Sequence, residues 1–216
     1  MIDLESYILH HSDDESDLLA QLNRETHVKI LNPRMLSGHL QGRILSMLAK
    51  MIQPKRILEL GTFTGYSALC LAESLPEDGI LYTIENNDEL EDFAAGFFRR
   101  SPHGHKIKQL VGNALDLIPV LDEEFDLVLI DADKREYIAY YNAVFDKVRQ
   151  GGYIFADNTL WAGKVIENIA PNDAQTAGIL QFNEYVKNDL RVEKVIFPLR
   201  DGLTVIRKKQ KKTAIL

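Results

Sequence analysis

RILELGTFTGYSALCLAESL (56–75) decides the fold: a short apolar run, Arg56 to Leu60, enters a glycine-containing turn, and the helix-length pattern SALCLAESL (67–75) leaves it. Gly61 and Gly65 let the backbone turn sharply beside a ligand, and Thr64 is placed to cap the following helix. Free amides at that helix start favour a carboxylate or phosphate, so ELGTFTGYS (59–67) reads as a ligand-binding turn. A dinucleotide fingerprint needs glycine in the middle of GxGxxG, and Phe63 stands there. A smaller nucleoside ligand with one carboxylate fits this turn better than a dinucleotide.

Downstream, strand and helix patterns alternate. LYTIE (81–85), IKQLVG (107–112) and FDLVLID (125–131) read as strands, the last so apolar that both its faces must be buried. A helix is expected over roughly 88–99 and another over 135–149, which leads through Gly151 and Gly152 to the strand YIFAD (153–157). This alternation predicts a doubly wound α/β fold around a mainly parallel sheet. VEKVIFPL (192–199) and GLTVIRK (202–208), separated only by Arg200 and Asp201, must be an antiparallel pair, which brings the strand total to seven. Before all this, residues 1–50 read as a helical extension, with Leu4, Tyr7 and Ile8, then Leu18, Leu19 and Leu22, then Leu40, Ile44, Leu45 and Leu48 at helical spacing.

The 216 residues suit one domain, with 45% hydrophobic residues for its core and 26% charged ones against a membrane protein. A formal net charge of -7 argues against nucleic acid as the main partner. The short basic tail 208–216 is the exception, read either as solvated or as anion-binding. Cys70 is the only cysteine, so neither an intrachain disulfide nor a cysteine-built metal site is available. The start MIDLESYILHHSDDESD has no basic and apolar signal pattern, and no segment reaches the roughly 20 apolar residues of a bilayer span. A cytoplasmic location is expected.

In an open parallel sheet, ligands sit outside the carboxyl ends of the strands. Glu85 ends its strand where a carboxylate accepts hydrogen bonds from both hydroxyls of a ribose. Gly112, Asn113 and Ala114 either border an adenine or form an ordinary turn. Asp131, Asp157 and Asn158 end two further strands, and carboxylates brought together there repel unless a cation lies between them. Their oxygens are hard ligands suited to Mg²⁺, Mn²⁺ or Ca²⁺. Lys134, three residues after Asp131, is the candidate base, and Asp133 an acceptor that orients either Lys134 or metal-bound water. Tyr137 packs the following helix or meets substrate, and Trp161 either walls an aromatic ring or joins the core. Two other readings stay open: an NAD-dependent oxidoreductase, on the Gly61 and Glu85 pairing, and a non-catalytic interaction module.

At these residues the chain resembles the cation-dependent class I O-methyltransferases, the group of caffeoyl-CoA O-methyltransferases, their bacterial relatives and, more distantly, catechol O-methyltransferase. ELGTFTGYSAL (59–69), YTIE (82–85), GNA (112–114), LIDADKREY (129–137), DNTLWAGKV (157–165) and RMLSGHLQGRIL (34–45) carry the resemblance, which spans roughly residues 25–208. It implies one methyltransferase domain over 1–216, with sheet order 3-2-1-4-5-7-6 and an antiparallel last pair. The cofactor would be S-adenosylmethionine, with contacts mapping onto Gly61, Ser67, Glu85 and Ala114. Glu59, Thr62, Phe63, Asn113, Asp131 and Tyr140 would surround it, and Met35 would form part of a lid. A divalent cation, Mg²⁺ first, maps onto Asp131, Asp157 and Asn158, and catalysis onto Lys134 with Asp131. The implied acceptor is a small vicinal aromatic diol and the implied assembly a homodimer. Ala132 and Asp133 stand where catechol O-methyltransferase has His and Trp, so the acceptor pocket should follow the caffeoyl-CoA and bacterial branch. In ENIAPNDAQTAG (167–178) no motif is evident.

Overall fold

Apolar runs bounded by turn residues become strands, and helix-period segments lie between them. The computed structural model describes residues 3–211, so the end of the basic tail, 212–216, lies outside the described residues. Along the chain come α1 (Leu4–His10), α2 (Asp17–Lys29), α3 (Gly38–Ile52), β1 (Arg56–Leu60), α4 (Tyr66–Ala72), β2 (Ile80–Glu85), α5 (Glu91–Phe98) and β3 (Ile107–Val111). Then follow α6 (Ala114–Val120), β4 (Phe125–Ile130), α7 (Tyr137–Phe145), β5 (Val148–Asp157), α8 (Ala174–Asn188), β6 (Val192–Phe197) and β7 (Leu203–Lys208).

The seven strands form one sheet in the expected order β3-β2-β1-β4-β5-β7-β6. β1, β4 and β5 run parallel, with Leu60 beside Ile130 and Ile130 beside Ala156, which brings Asp131 and Asp157 to one rim. β7 is antiparallel to both its neighbours. No helix among the described residues is long and apolar enough to cross a membrane.

The described residues divide into two compact units, 3–55 with 62–111, and 56–61 with 112–211. In the first, α3 turns Gln41, Gly42, Leu45, Ser46 and Ala49 inward, and Gly42 comes so close to α4 that a Cβ there would lie 2.7 Å from both Cys70 Sγ and Tyr66 Cε1. Glu73, just past α4, accepts from Arg43 at 2.6 and 3.1 Å and from Ser46 at 2.9 Å. α2 buries Leu19, Leu22 and Thr26. In contrast, α1 buries no residue, although Asp3 caps it by accepting from Ser6 N–H. In the second unit, β1 beyond Arg56 and β4 apart from Asp126 are buried, as are Tyr137, Tyr141 and Phe182.

Three expectations are corrected. Thr64 does not cap α4: the capping residue is Gly65, at φ 89°, and the Thr64 hydroxyl accepts from Thr26 of α2 at 3.1 Å. β5 begins at Val148 rather than 153, because buried Val148 pairs with Phe125 and residues 149–152 bulge before Tyr153 meets Leu127. The hairpin connection covers residues 198–202 instead of two residues, with Arg200 at φ 45° and Gly202 at φ 88°. Two helices, α6 and α8, had no counterpart among the expected elements.

Burial is the largest single influence and disfavours the Glu73 charge, but the hydrogen bond and charge of Arg43, the Ser46 hydroxyl and the Lys50 charge together outweigh it and hold the carboxyl below its ordinary 4.5. Its stabilising contribution is therefore complete above that ordinary value and lost as pH falls through the depressed one. Glu73→Gln should lower stability by roughly 1–2 kcal/mol at pH 7. Urea melts should show the gap from the parent protein closing below pH 4.5.

Candidate active site

Strand tips leave backbone groups and side chains facing the rim, and two clusters form there, one in each unit. In the first unit the turn after β1 is held by hydroxyl and carboxylate contacts. Buried Thr62 pairs its Oγ1 with that of Thr83 at 2.5 Å, and its N–H reaches Ile84 O at 3.3 Å. Phe63 adopts φ 47°, a conformation unusual outside glycine, and its N–H donates to Glu85 Oε2 at 2.8 Å. The other carboxylate oxygen of Glu85 accepts from Asn87 N–H at 2.9 Å. Glu85 is thus pinned at the tip of β2 and half-exposed, with acceptor lone pairs left for a hydroxylated ligand. Ser67 is buried in the first turn of α4. Met35 ends a 3₁₀ turn, Pro33–Met35, and is 62% exposed.

The second unit holds the remaining candidates. Glu59 is fully buried in β1. Gly61, at φ 101°, follows Leu60, whose carbonyl accepts from Asp131 N–H at 2.9 Å; a Cβ on Gly61 would stand 2.0 Å from Asp131 O. The turn's first glycine and the first acidic residue are therefore neighbours by strand pairing, and only glycine allows the approach. Asn113 caps α6, its side-chain oxygen accepting from Leu115 N–H at 2.8 Å, and Ala114 is the helix's first residue. That oxygen is engaged with backbone, so base recognition at this position would fall to the amide nitrogen or the main chain. Tyr140, buried in α7, donates to Glu136 at 2.5 Å.

Lys134 is the centre of the acidic rim. It is 7% exposed, and its Nζ donates to Asp131 Oδ1 at 2.8 Å and to Tyr137 Oη at 2.7 Å. Burial opposes its charge, yet neighbouring Asp131 holds its pKa above the ordinary lysine value. The Tyr137 hydroxyl in turn faces Asp157 O at 3.0 Å and Ile130 O at 3.2 Å. One buried phenol thus spans the tips of β4 and β5, a task the residue's two expected roles, helix packing and substrate contact, did not include. Burial raises its pKa, which keeps the proton it donates. Asp157 is 4% exposed; Asn158 follows at φ 57°.

Asp133 pairs with Arg135 rather than with the lysine ammonium, through contacts of 2.9 and 3.0 Å. Hydrogen bonding from Arg135 brings its carboxyl down to about 2. Trp161 is half-buried at φ 47°, its ring centroid 6.0 Å from Lys134 Nζ. It stands over the rim, not in the core. No three His, Cys, Asp or Glu side chains gather as a metal-ligand cluster among the described residues. The expected donor set differs in kind, with two aspartates and an asparagine.

A parallel sheet ordered 3-2-1-4-5 with a 7-6 hairpin, a glycine turn after its first strand and an acid at the tip of its second define a Rossmann-like methyltransferase. The O-methyltransferase family model matches residues 9–209, and the chain belongs to that family. Caffeoyl-CoA O-methyltransferase 1 of Arabidopsis thaliana is 35% identical over 95% of this chain and 84% of its own length. Among solved structures, the O-methyltransferase TomG of Streptomyces achromogenes, involved in tomaymycin synthesis and in complex with SAM, aligns at TM-score 0.89 with 30% identity, covering 97% of this chain and 100% of that one. The O-methyltransferase of Bacillus cereus, in complex with SAH, aligns at 0.89 with 27% identity over 95% of this chain and 97% of that one. The protein is thus an enzyme, an O-methyltransferase of the caffeoyl-CoA O-methyltransferase type, which displaces the oxidoreductase and interaction-module readings.

Gly61→Ala should force the tips of β1 and β4 apart and place a side chain in the left-handed region, at a cost of about 2–4 kcal/mol. Urea denaturation measures it; an unchanged midpoint would mean that these tips separate freely.

Proposed function

We propose that this enzyme moves the methyl group of S-adenosylmethionine to one hydroxyl of a small vicinal aromatic diol, with a divalent cation held by Asp131, Asp157 and Asn158. The observation that carries the reading is the buried Lys134 ammonium lying on Asp131 at the tip of β4, with Asp157 at the adjacent tip. The donor chemistry fits a cation: Asp131 at the tip of β4 and Asp157 at the adjacent tip of β5 are carboxylates, while Asp133 is paired with Arg135. Carboxylate and carboxamide oxygens are the donors that Mg²⁺, Mn²⁺ and Ca²⁺ prefer. When bound, the cation would supply Lewis-acid polarisation to diol oxygens whose pKa, about 10, makes them poor nucleophiles at neutral pH.

The chain's own residues do the rest. Gly61 leaves backbone space for the donor, Ser67 lies in the first turn of the helix beyond it, and Glu85 accepts from its ribose. Gly112, Asn113 and Ala114 border its adenine, while Glu59, Thr62, Phe63, Tyr140 and Met35 complete its surroundings. Asp131 holds the Lys134 amine protonated as the structure stands. When Asp131 spends its charge elsewhere, Nζ gives that proton to solvent, and the neutral amine then accepts the phenolic proton. Tyr137 keeps Nζ in place through the exchange. Trp161 offers a face to a planar acceptor. A homodimer in the cytoplasm, acting as one methyltransferase domain on a small molecule and not on nucleic acid or a membrane, belongs to the same reading.

Turnover of catechol with S-adenosylmethionine should vanish after exhaustive EDTA treatment and return with Mg²⁺; undiminished activity in the metal-free enzyme overturns the cation's role. Asp131→Ala should abolish metal binding in calorimetry. Lys134→Ala should keep metal and donor-product affinity while slowing turnover roughly 10²–10⁴-fold. Equal loss of metal affinity in both variants would refute that division.

A further inference from the structure

The segment without a motif, 167–178, leads into α8, and α8 reaches both site loops. Asp173 caps the helix: its Oδ1 accepts from Thr176 N–H at 3.0 Å and its Oδ2 from the Thr176 hydroxyl at 2.7 Å. The same Oδ2 takes the Lys164 ammonium at 3.1 Å, so the loop leaving β5 is fastened to the helix start. Two residues on, Gln175 Oε1 accepts the backbone N–H of Lys134 at 3.2 Å, and its Nε2 donates to Asp133 Oδ1 at 3.3 Å. One turn later Gly178 passes so near that a Cβ would stand 2.5 Å from Lys134 O and 2.9 Å from Arg135 Cα. Two turns beyond Gln175, Asn183 Nδ2 donates to Thr159 O at 2.8 Å, next to the Asn158 tip. Residues 175, 178, 179, 182, 183 and 186 follow helical spacing, so one face of α8 meets both the Lys134 loop and the end of β5.

We infer that Gln175 is a positioning residue for Lys134, acting through the main chain: it fixes the lysine's backbone while Tyr137 and Asp131 fix its ammonium. This rests on Lys134 being the base of the proposed reaction. A long side chain reaches a defined point only when both ends are held, and its backbone end is otherwise the first residue of a 3₁₀ turn, Lys134–Glu136. Gly178 allows the helix near enough for the amide of Gln175 to reach. The Lys164 to Asp173 contact then makes the β5 loop and the lysine loop share one brace, so a change in either is felt by the other.

Amide hydrogen exchange by NMR tests the contact directly, without substrate. Gln175→Leu should make the Lys134 amide exchange at least tenfold faster while β4 amides keep their protection. Gln175→Glu, which retains an acceptor oxygen of the same reach, should stay nearer the parent protein. With catechol as probe, Gln175→Leu should lower kcat about 10–100-fold with the KM for S-adenosylmethionine within about twofold, and Gln175→Glu should recover part of the loss. Unchanged Lys134 exchange in Gln175→Leu, or equal losses of kcat in the two variants, overturns the inference. Absence of catechol turnover in the parent protein would count against the proposed function instead, and the exchange experiment would still decide the role of Gln175.

Discussion

Everything at this site depends on how two buried polar side chains, Lys134 and Tyr137, find partners at the strand tips. The ammonium meets Asp131, and the phenol reaches backbone carbonyls at the ends of both β4 and β5. Neither contact would hold in water, where exposed ion pairs are worth little. Here the lysine is 7% exposed and the tyrosine fully buried, so each polar atom must find its partner within the protein. The cost of leaving any of them unmatched fixes the geometry of the rim before any ligand arrives.

Much of this arrangement was legible in the residues, and the limits have physical reasons. RILEL, FDLVLID and YIFAD announced their strands because a central parallel strand is apolar on both faces, and the sheet order followed the family resemblance. The Gly61 turn was readable because its backbone approaches Asp131 too closely for any side chain. Thr64 misled because a threonine before a helix has two uses, and tertiary contact with Thr26 won over capping. α6 went unseen because Pro119 interrupts a helix of seven residues.

α8 is the more instructive omission. Asp173 as a cap and Ile179, Phe182 and Val186 at helical spacing were signals that could have revealed it, but Gly178 and the turn-like ENIAPND ahead of it masked them. Gly178 breaks the helical pattern for a tertiary reason, the passage of the Lys134 carbonyl. Tyr137 was hidden differently: an aromatic residue at a helix start looks like packing, and nothing in sequence reveals which backbone carbonyls its hydroxyl will face.

The loop after β5 divides into two stretches with different freedom. Trp161, Ala162 and Gly163 all carry positive φ, and Leu160 and Trp161 are tied to the Asp201 carbonyl, so few residue types can occupy this corner without strain. Beyond it, 166–172 is exposed throughout and bears none of these backbone constraints. Diversification of this enzyme toward new acceptors should therefore accumulate in the outer stretch, while the corner that carries the tryptophan drifts slowly.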